Sequence, residues 1–422
     1  RLYDEDFARQ RYEIKGKKLT QSETLSKLYD PNRSARKEAA ESLSRGFDSQ
    51  LDRVSLVYNT LILDHSINSR YFKFESPEAS RHLSNEINQK AVDQLVSAVE
   101  KSNSVVARYY KKKAKILGIK QLLDFDRYAS IPAGKSDKFS WSEARSLVLG
   151  SCTSFSSEYE KVNRLFFEND WIHAAPKPNK RSGAYCHPVT ADGHPYVFMN
   201  FTGTANDVMT LAHELGHAAH FYLSRKQGFL NFDVPLTVCE TASVFSEMLT
   251  FSTLRERTTD PKVLRSMLAQ KIESIFATVH RQISLFRFER AVHQSRITEG
   301  EVSRGKISEI WLKTQTEMFA GSVKFSDGYK NWWGYISHFF HSPFYVYAYA
   351  FGELLTLALY KRYQKAPNKE AFAKLYIDML SQGSSKSPIE LMQPFGLDLN
   401  KAAIWQDGIE FIEDMVTEFE EL

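Results

Sequence analysis

Two histidines and a glutamate stand at a spacing that can hold a metal ion. Residues 213–217 read His-Glu-Leu-Gly-His, the H-E-x-x-H pattern. On a helix, His213 and His217 lie on one face about one turn apart, so both imidazoles can reach one ion. Zinc suits such a pair because it accepts imidazole nitrogen and tolerates an open coordination position. Glu214 lies beside His213 around the helix, where it can act as a general base on a water without being a ligand.

The segment around this pattern supports the metal interpretation. Residues 208–223 are apolar nearly all round, which is typical of a buried helix. Glu214 is the only carboxylate in that stretch, and burying an unpaired carboxylate costs several kcal/mol. A nearby dication would remove this cost. Asn206 or Asp207 is predicted to cap the start of the helix.

A further histidine on the same helix face does not fit as a third ligand. His220 lies seven residues beyond His213, about 10 Å along the helix axis, and one tetrahedral ion cannot easily hold both. The longer metzincin pattern needs Gly at position 220 and His at 223, where this chain has His220 and Leu223. His220 is therefore interpreted either as a residue supporting the ligands or as a core histidine.

The third ligand is expected from a second helix, which residues 235–247 begin. Glu240 and Glu247 are seven residues apart and share the face opposite the apolar stripe. We predict that Glu240 completes a His-His-Glu zinc site and that Glu247 holds one of the histidines. In the alternative, Thr237 and Glu240 form a capping box at the helix start. Cys239 is either a soft ligand or a small core residue.

An aromatic segment near the C-terminus offers hydrogen-bond donors. His338 precedes Tyr345, Tyr347 and Tyr349, and a helical continuation through residues 353–363 would place Tyr345 and Tyr349 on one face. Neutral phenol and imidazole donors beside a zinc ion can stabilise the negative charge that develops during amide hydrolysis. Aromatic-rich helices also serve simply as core, so spacing alone leaves both interpretations open.

Most of the chain shows the apolar spacing of helices, interrupted once by strand-like sequence. The predicted helical stretches are residues 19–47, 84–117, 140–168, 261–298 and 400–420. The predicted strands are residues 183–188 and 195–201, joined by turn residues 190–193. The fold class is therefore mainly α, with a small β element just before the H-E-x-x-H helix. A hinge is predicted at residues 132–135, which divides an N-terminal helical lobe (1–131) from a catalytic region (132–422).

The composition excludes several classes of protein. The 422 residues carry a formal net charge of only +4, which gives no case for a nucleic-acid partner. Three cysteines without a close pair fit a reducing compartment better than a disulfide scaffold. No apolar run is long enough to span a membrane, and residues 1–16 do not resemble a signal peptide. The expected location is the cytoplasm.

Blocks of residues in order along the chain resemble the thimet-type family of zinc metallopeptidases, in its oligoendopeptidase F branch. The similar segments are residues 27–31, 180–185, 203–204, 210–217, 239–243, 338–339 and 343–347. The resemblance implies a multi-helix, two-lobed body with a deep substrate channel. It also implies a longer N-terminal helical part than this chain has, so the N-terminal lobe is expected to be truncated or processed.

The resemblance also implies roles for individual residues. It implies one Zn²⁺ ion, with ligands His213, His217 and Glu240 and with Glu214 as the base. His338 and tyrosines are implied as stabilisers of the transition state, with Tyr349 among them and Tyr345 and Tyr347 as alternatives for one place. Tyr347, Gly183 and Tyr185 are the residues expected to contact substrate.

The predicted function is hydrolysis of internal peptide bonds in short peptides. The strand at residues 196–201 is a candidate for pairing with the substrate backbone. Two alternatives stay open: a zinc carboxypeptidase or peptidyl-dipeptidase of similar helical build, and an inactive fragment that binds peptides or metal. No nucleic-acid or membrane partner is expected.

Overall fold

The computed structural model describes residues 1–132 and 138–422, which form eighteen α-helices and seven short strands. The N-terminal helices are α1 (Leu2–Arg9), α2 (Gln21–Ser26), α3 (Arg33–Tyr71), α4 (Ala79–Ser84), α5 (Gln89–Lys101) and α6 (Asn103–Ile116). Next come α7 (Trp141–Phe155), α8 (Ser157–Glu168), α9 (Ala205–Ser224), α10 (Leu236–Arg257), α11 (Pro261–Thr278) and α12 (His280–Glu299). The last are α13 (Arg304–Phe319), α14 (His338–His341), α15 (Tyr347–Lys365), α16 (Lys369–Leu380), α17 (Pro388–Met392) and α18 (Ala402–Glu421).

The strands form three small sheets. They are β1 (Tyr12–Ile14), β2 (Lys17–Leu19), β3 (Leu122–Leu123), β4 (Ile172–His173), β5 (Tyr185–His187), β6 (Tyr196–Phe198) and β7 (Val323–Lys324). β1 and β2 form a hairpin, β3 pairs with β7, and the third sheet has the order β4-β6-β5. The antiparallel pairing of β5 with β6 confirms the predicted strand pair, while β4 was not predicted.

The N-terminal helix prediction was wrong in part. The predicted helix at residues 19–47 is divided: the β1–β2 hairpin ends at Leu19, α2 covers only Gln21–Ser26, and the long helix α3 begins at Arg33. Lys15 and Gly16 both have positive φ angles, 49° and 77°, as a two-residue hairpin turn requires. Asn32 then caps α3 by accepting the Ser34 N–H. A capped helix start therefore lies inside the stretch that apolar spacing predicted as one helix.

Three helices at the centre of the molecule bring the site together. α10 packs against both α9 and α15, and α15 packs against α18. α9 and α10 approach closely at Gly216, where a Cβ would lie 2.4 Å from the Ala242 carbonyl oxygen. α15 and α10 approach at Gly352, where a Cβ would lie 3.2 Å from Glu240 Cβ. Gly216 thus lets the H-E-x-x-H helix reach contact distance of the helix that carries Glu240, and Gly352 lets α15 approach that same helix.

The predicted fold class is confirmed: the chain is mainly α, with a small sheet beside α9. The buried apolar side chains form one cluster that includes residues on both sides of position 131. The hinge predicted at residues 132–135 falls, apart from Pro132, outside the described residues and stays a prediction, as does the division at residue 131. Among the helices of the described ranges, none is long and apolar enough to cross a membrane.

Candidate active site and metal centre

His213 and His217 are the partly accessible residues of the central part of α9. Between residues 211 and 221, only His213 and His217 are not fully buried. The helix starts with a capping box in which Thr204 accepts the Asp207 N–H and the Asp207 carboxylate accepts the Thr204 N–H. The cap is therefore Thr204, not the predicted Asn206 or Asp207, because the helix begins two residues earlier than expected.

Glu240 lies against both histidines. Its Oε2 is 3.4 Å from His213 Nε2 and 3.5 Å from His217 Nε2. A tetrahedral ion with bonds of about 2.0–2.2 Å separates its ligand atoms by about 3.3–3.6 Å, so the donors stand at the spacing that zinc requires. Among the described residues, these three side chains form the group of metal-ligating type. The donor set of two imidazoles and one carboxylate also suits zinc.

The capping-box alternative for Glu240 is wrong. α10 begins at Leu236 after Pro235, and no side chain caps its start. Thr237 instead donates its hydroxyl to the Asn85 carbonyl, and Glu240 Oε2 accepts the Ser243 hydroxyl at 2.8 Å. The Glu240 carboxylate is therefore directed towards the histidines and not towards the helix start.

Behind His213 lies a chain of charged groups. Glu247 Oε2 is 3.3 Å from His213 Nδ1, and Lys271 Nζ donates to Glu247 Oε1 at 2.7 Å. Burial raises the pKa of Glu247, but Lys271 and His213 together lower it to about 2. Glu247 is thus an anion that orients the His213 ring, as predicted for a residue holding a ligand.

Three carboxylates surround the His213 imidazole. Burial lowers the pKa of His213, but the carboxylates of Glu247, Glu240 and Glu214 together raise it to about 9. Lys271 neutralises only one of these carboxylates, because its ammonium is paired with Glu247. The carboxylates hold a proton on His213 in the absence of a metal ion, and a divalent cation bound between them would take the place of that proton.

Glu214 is buried next to the two histidines without being part of the ligand group. Its side chain is 6% exposed, and its Oε2 has no hydrogen-bonding partner in the protein. Burial raises the pKa of Glu214 to about 7, against the opposing effects of His213 and of the Cys186 main-chain amide. A carboxylate with a pKa near neutrality can both accept and release a proton.

His220 stands apart from the metal-ligating group. It is buried at 4% exposure, and its Nδ1 has no partner. Burial lowers the pKa of His220 to about 3, so the ring is neutral. Of the two interpretations left open by the sequence, the structure agrees with a core histidine.

His338, Tyr345 and Tyr349 form one cluster beside Glu240. Tyr349 lies one turn before Gly352, and its hydroxyl is 3.3 Å from His338 Nε2. The Tyr345 ring lies 5.1 Å from the Tyr349 ring and 5.9 Å from the His338 ring, measured between centroids. Tyr349 is the only residue between 347 and 361 that is not fully buried. Burial raises the pKa of Tyr349 and lowers that of His338, which keeps both groups as neutral donors.

Tyr347 does not belong to this cluster, and its prediction as a substrate-binding residue was wrong. Its side chain is 0% exposed, and its hydroxyl accepts the Asn85 amide and bonds His82 Nδ1. α15 begins at Tyr347, so the helical turn directs this side chain into the core. Between Tyr345 and Tyr347, the structure leaves Tyr345 as the accessible alternative.

The predicted pairing of β6 with substrate was also wrong. β6 lies in the middle of its sheet, with β4 on one side and β5 on the other, so it has no free edge. The Cys186 amide of β5 is directed to Glu214, so the outer edge of β5 runs beside α9. Tyr185 is exposed on β5, and Gly183 precedes the strand with a φ of 93°.

Lys271 is the residue of this site that sequence reasoning missed. It lies on α11 among the buried apolar residues of that helix, and its side chain is 5% exposed. A lysine at a core position of an amphipathic helix is rare unless it is paired. The single lysine on the apolar face of α11 could have indicated a buried ion pair, but the sequence does not show that Glu247 is its partner.

Comparisons with known proteins identify the family of this chain. A model of Peptidase family M3 matches residues 26–411. An oligoendopeptidase F homolog of Borreliella burgdorferi is 28% identical over 97% of this chain and 69% of its own length. Oligopeptidase PepF of Bacillus subtilis is 26% identical over 96% of this chain and 60% of its own length. The chain thus spans about two thirds of the length of these relatives.

Two solved structures share the fold. A crystal structure of a proposed peptidase from Chlamydophila abortus has a TM-score of 0.90 and 26% identity, covering all of this chain and 71% of the other. Oligoendopeptidase F from Enterococcus faecium has a TM-score of 0.79 and 21% identity, covering 100% of this chain and 72% of its own. The second likeness concerns the fold alone.

Proposed function

The chain belongs to peptidase family M3, and from that premise we propose that it is a zinc-dependent endopeptidase acting on short peptides. The observation that carries the proposal is the grouping of His213, His217 and Glu240 at tetrahedral ligand spacing, with the unpaired carboxylate of Glu214 beside them. Relatives bear the names oligopeptidase and oligoendopeptidase, which supports short peptides as the substrate class.

The two imidazoles and the Glu240 carboxylate would hold the zinc ion. When bound in such a site, zinc polarises a carbonyl group and lowers the pKa of a coordinated water towards neutrality. Glu247 fixes the orientation of the His213 ring through Nδ1, and Lys271 keeps Glu247 ionised. The ligand geometry is therefore supported from behind by buried charges.

Glu214 moves the proton. Its carboxylate takes a proton from the attacking water and later delivers it to the leaving amine. The raised pKa of about 7 suits both steps, because the group can exist in either protonation state near neutral pH. The Cys186 main-chain amide restrains the carboxylate on the side of β5.

His338, Tyr345 and Tyr349 stabilise the developing oxyanion or bind the neighbouring substrate backbone. The pKa of His338 is lowered and that of Tyr349 is raised, which keeps both groups neutral and able to donate a hydrogen bond to the developing charge. The outer edge of β5 is our candidate for main-chain pairing with the substrate. Gly183 and Tyr185 then lie along the bound peptide.

The class of peptidase is tested with internally quenched peptides carrying either a free or an amidated C-terminus. We expect cleavage at internal bonds and a kcat/KM that changes less than about threefold on amidation, since an endopeptidase does not need to bind the terminal carboxylate. A carboxypeptidase or peptidyl-dipeptidase would lose most of its activity on amidation. Binding of peptides without turnover by the zinc-loaded protein would favour the inactive-fragment alternative.

Two tyrosine variants distinguish a role in the active site from a role in the core. Tyr349→Phe should lower kcat by about 10- to 1,000-fold, because it removes one donor from the site of charge development, with little effect on thermal stability. Tyr347→Phe should do the reverse. It leaves buried partners on Asn85 and His82 unsatisfied and should lower the free energy of unfolding by about 1–3 kcal/mol.

Both variants are measured by steady-state kinetics and by denaturant unfolding, each serving as the control for the other. Equal loss of kcat in the two variants would contradict the assignment of Tyr349 to the site and Tyr347 to the core.

A further inference from the structure

A cavity of about 420 Å³ lies between the C-terminal half of α3 and the C-terminal end of α12. It shares no lining residue with the metal site. Its volume falls in the range of sites that bind small molecules, about 300–1,000 Å³.

The charged lining of this cavity is mainly cationic. Arg70 and Arg296 both line it, and Glu75 is the only acidic residue among the lining side chains. Among the ion pairs and hydrogen bonds of the described residues, neither guanidinium group has a partner. Arg296 Nε is itself buried without a hydrogen-bond acceptor. A guanidinium nitrogen that is withdrawn from water, as Arg296 Nε is, normally binds a carboxylate or phosphate, whereas the exposed guanidinium of Arg70 can be hydrated in the absence of a ligand.

A buried histidine is an independent indication that this cavity binds a ligand. His293 lines the cavity and is 1% exposed, yet neither of its ring nitrogens has a partner in the protein. Leaving a buried polar group unsatisfied costs free energy, and such groups in native structures call for a ligand or another explanation. His65, also in the wall, bonds the Pro77 carbonyl through Nε2 at 2.6 Å. That carbonyl can only accept, so Nε2 of His65 carries the proton.

Apolar side chains and three serines make up most of the remaining wall, and the apolar part favours an organic ligand. Leu63, Phe74, Pro77 and Ile297 line the same cavity. We propose that this cavity binds a small organic anion, in which a carboxylate or phosphate meets the two arginines and His293 while a compact apolar group lies on these side chains. The anionic group would accept hydrogen bonds from the unpaired donors of the cavity. The apolar group of the ligand would be buried against the hydrophobic part of the wall.

The proposal is tested by isothermal titration calorimetry of the whole zinc-loaded chain with benzoate, with its neutral isostere benzamide and with phenylphosphate. Benzoate or phenylphosphate should bind at one site, and benzamide should bind at least about tenfold more weakly, because it lacks the charge that the arginines bind. Tighter binding of phenylphosphate would identify a phosphate-type ligand, and tighter binding of benzoate a carboxylate.

Variants locate the binding. Arg70→Gln and Arg296→Gln should each weaken the Kd at least about tenfold. Arg257→Gln serves as the matched control, because Arg257 is exposed at the end of α10 and outside the cavity lining. Arg70 is exposed, so its substitution tests the site even if Arg296→Gln does not fold. The proposal is overturned if neither anion binds, if benzamide binds as tightly as benzoate, or if the cavity variants bind like the control.

Discussion

Substitution of Glu214 with glutamine is expected to lower kcat by about 10²–10⁴-fold, the usual contribution of a general base. Glutamine has nearly the same shape as glutamate but cannot accept the proton of the attacking water. Glu214 lies outside the group of His213, His217 and Glu240, so the zinc content of the variant should equal that of the wild type. The measurements are turnover of internally quenched peptides and metal analysis of the purified protein.

The stability of this variant gives a further test. Glu214 carries a buried oxygen without a partner, and a carboxylate in that state destabilises the folded protein. The midpoint of thermal unfolding should therefore not fall in the glutamine variant. Glu256→Gln, the same chemical change at an exposed position of α10, is the control and should behave as the wild type. Retention of more than a tenth of wild-type kcat by Glu214→Gln would contradict its role as the base.

Substitution of Glu240 with glutamine should remove most of the metal affinity. The change replaces an anionic ligand by a neutral amide, and it leaves two imidazoles that hold zinc only weakly. We expect a Kd for zinc at least about 10³-fold higher, well beyond the about 10–100-fold effect of residues that only support a ligand. Competition with a chelating dye measures the Kd, and activity should be lost in parallel.

Glu247→Gln provides the graded comparison on the same helix. Glu247 contacts His213 Nδ1 and is 3.3 Å from it, so its loss misorients a ligand without removing one. The Kd for zinc should rise about 10–100-fold. Glu256→Gln again serves as the control with unchanged affinity. If Glu247→Gln weakens zinc binding more than Glu240→Gln does, the assignment of ligand and supporting residue is wrong.

Zinc should also raise thermal stability, by an amount that grows with the logarithm of its concentration above the Kd. A ligand that binds only the folded state at 100 times its Kd stabilises that state by about 2.7 kcal/mol. The Glu240 variant should lose this gain at zinc concentrations that saturate the wild type. The same titration therefore reports metal binding without relying on activity.

The sequence by itself determined the parts of the site that depend on short-range geometry. His213, Glu214 and His217 are fixed relative to one another by one helix, and Glu240 and Glu247 by another, since helical spacing decides which side chains share a face. The β5–β6 pair is likewise local, because its turn lies between the strands. The family also followed from the sequence, because its blocks of residues stand in order along the chain.

Only the tertiary structure decided how these helices pack and which of their side chains remain accessible. Helical spacing placed Tyr345 and Tyr349 on one face, but only the packing of α15 shows that Tyr347 is buried while the other two stay partly accessible. The sequence suggested that β6 had a free edge for substrate, but β4, which was not predicted, occupies that edge. Lys271 reaches Glu247 from another helix altogether. Contacts between distant segments depend on the packing of whole helices, and the local pattern of residues does not encode that packing.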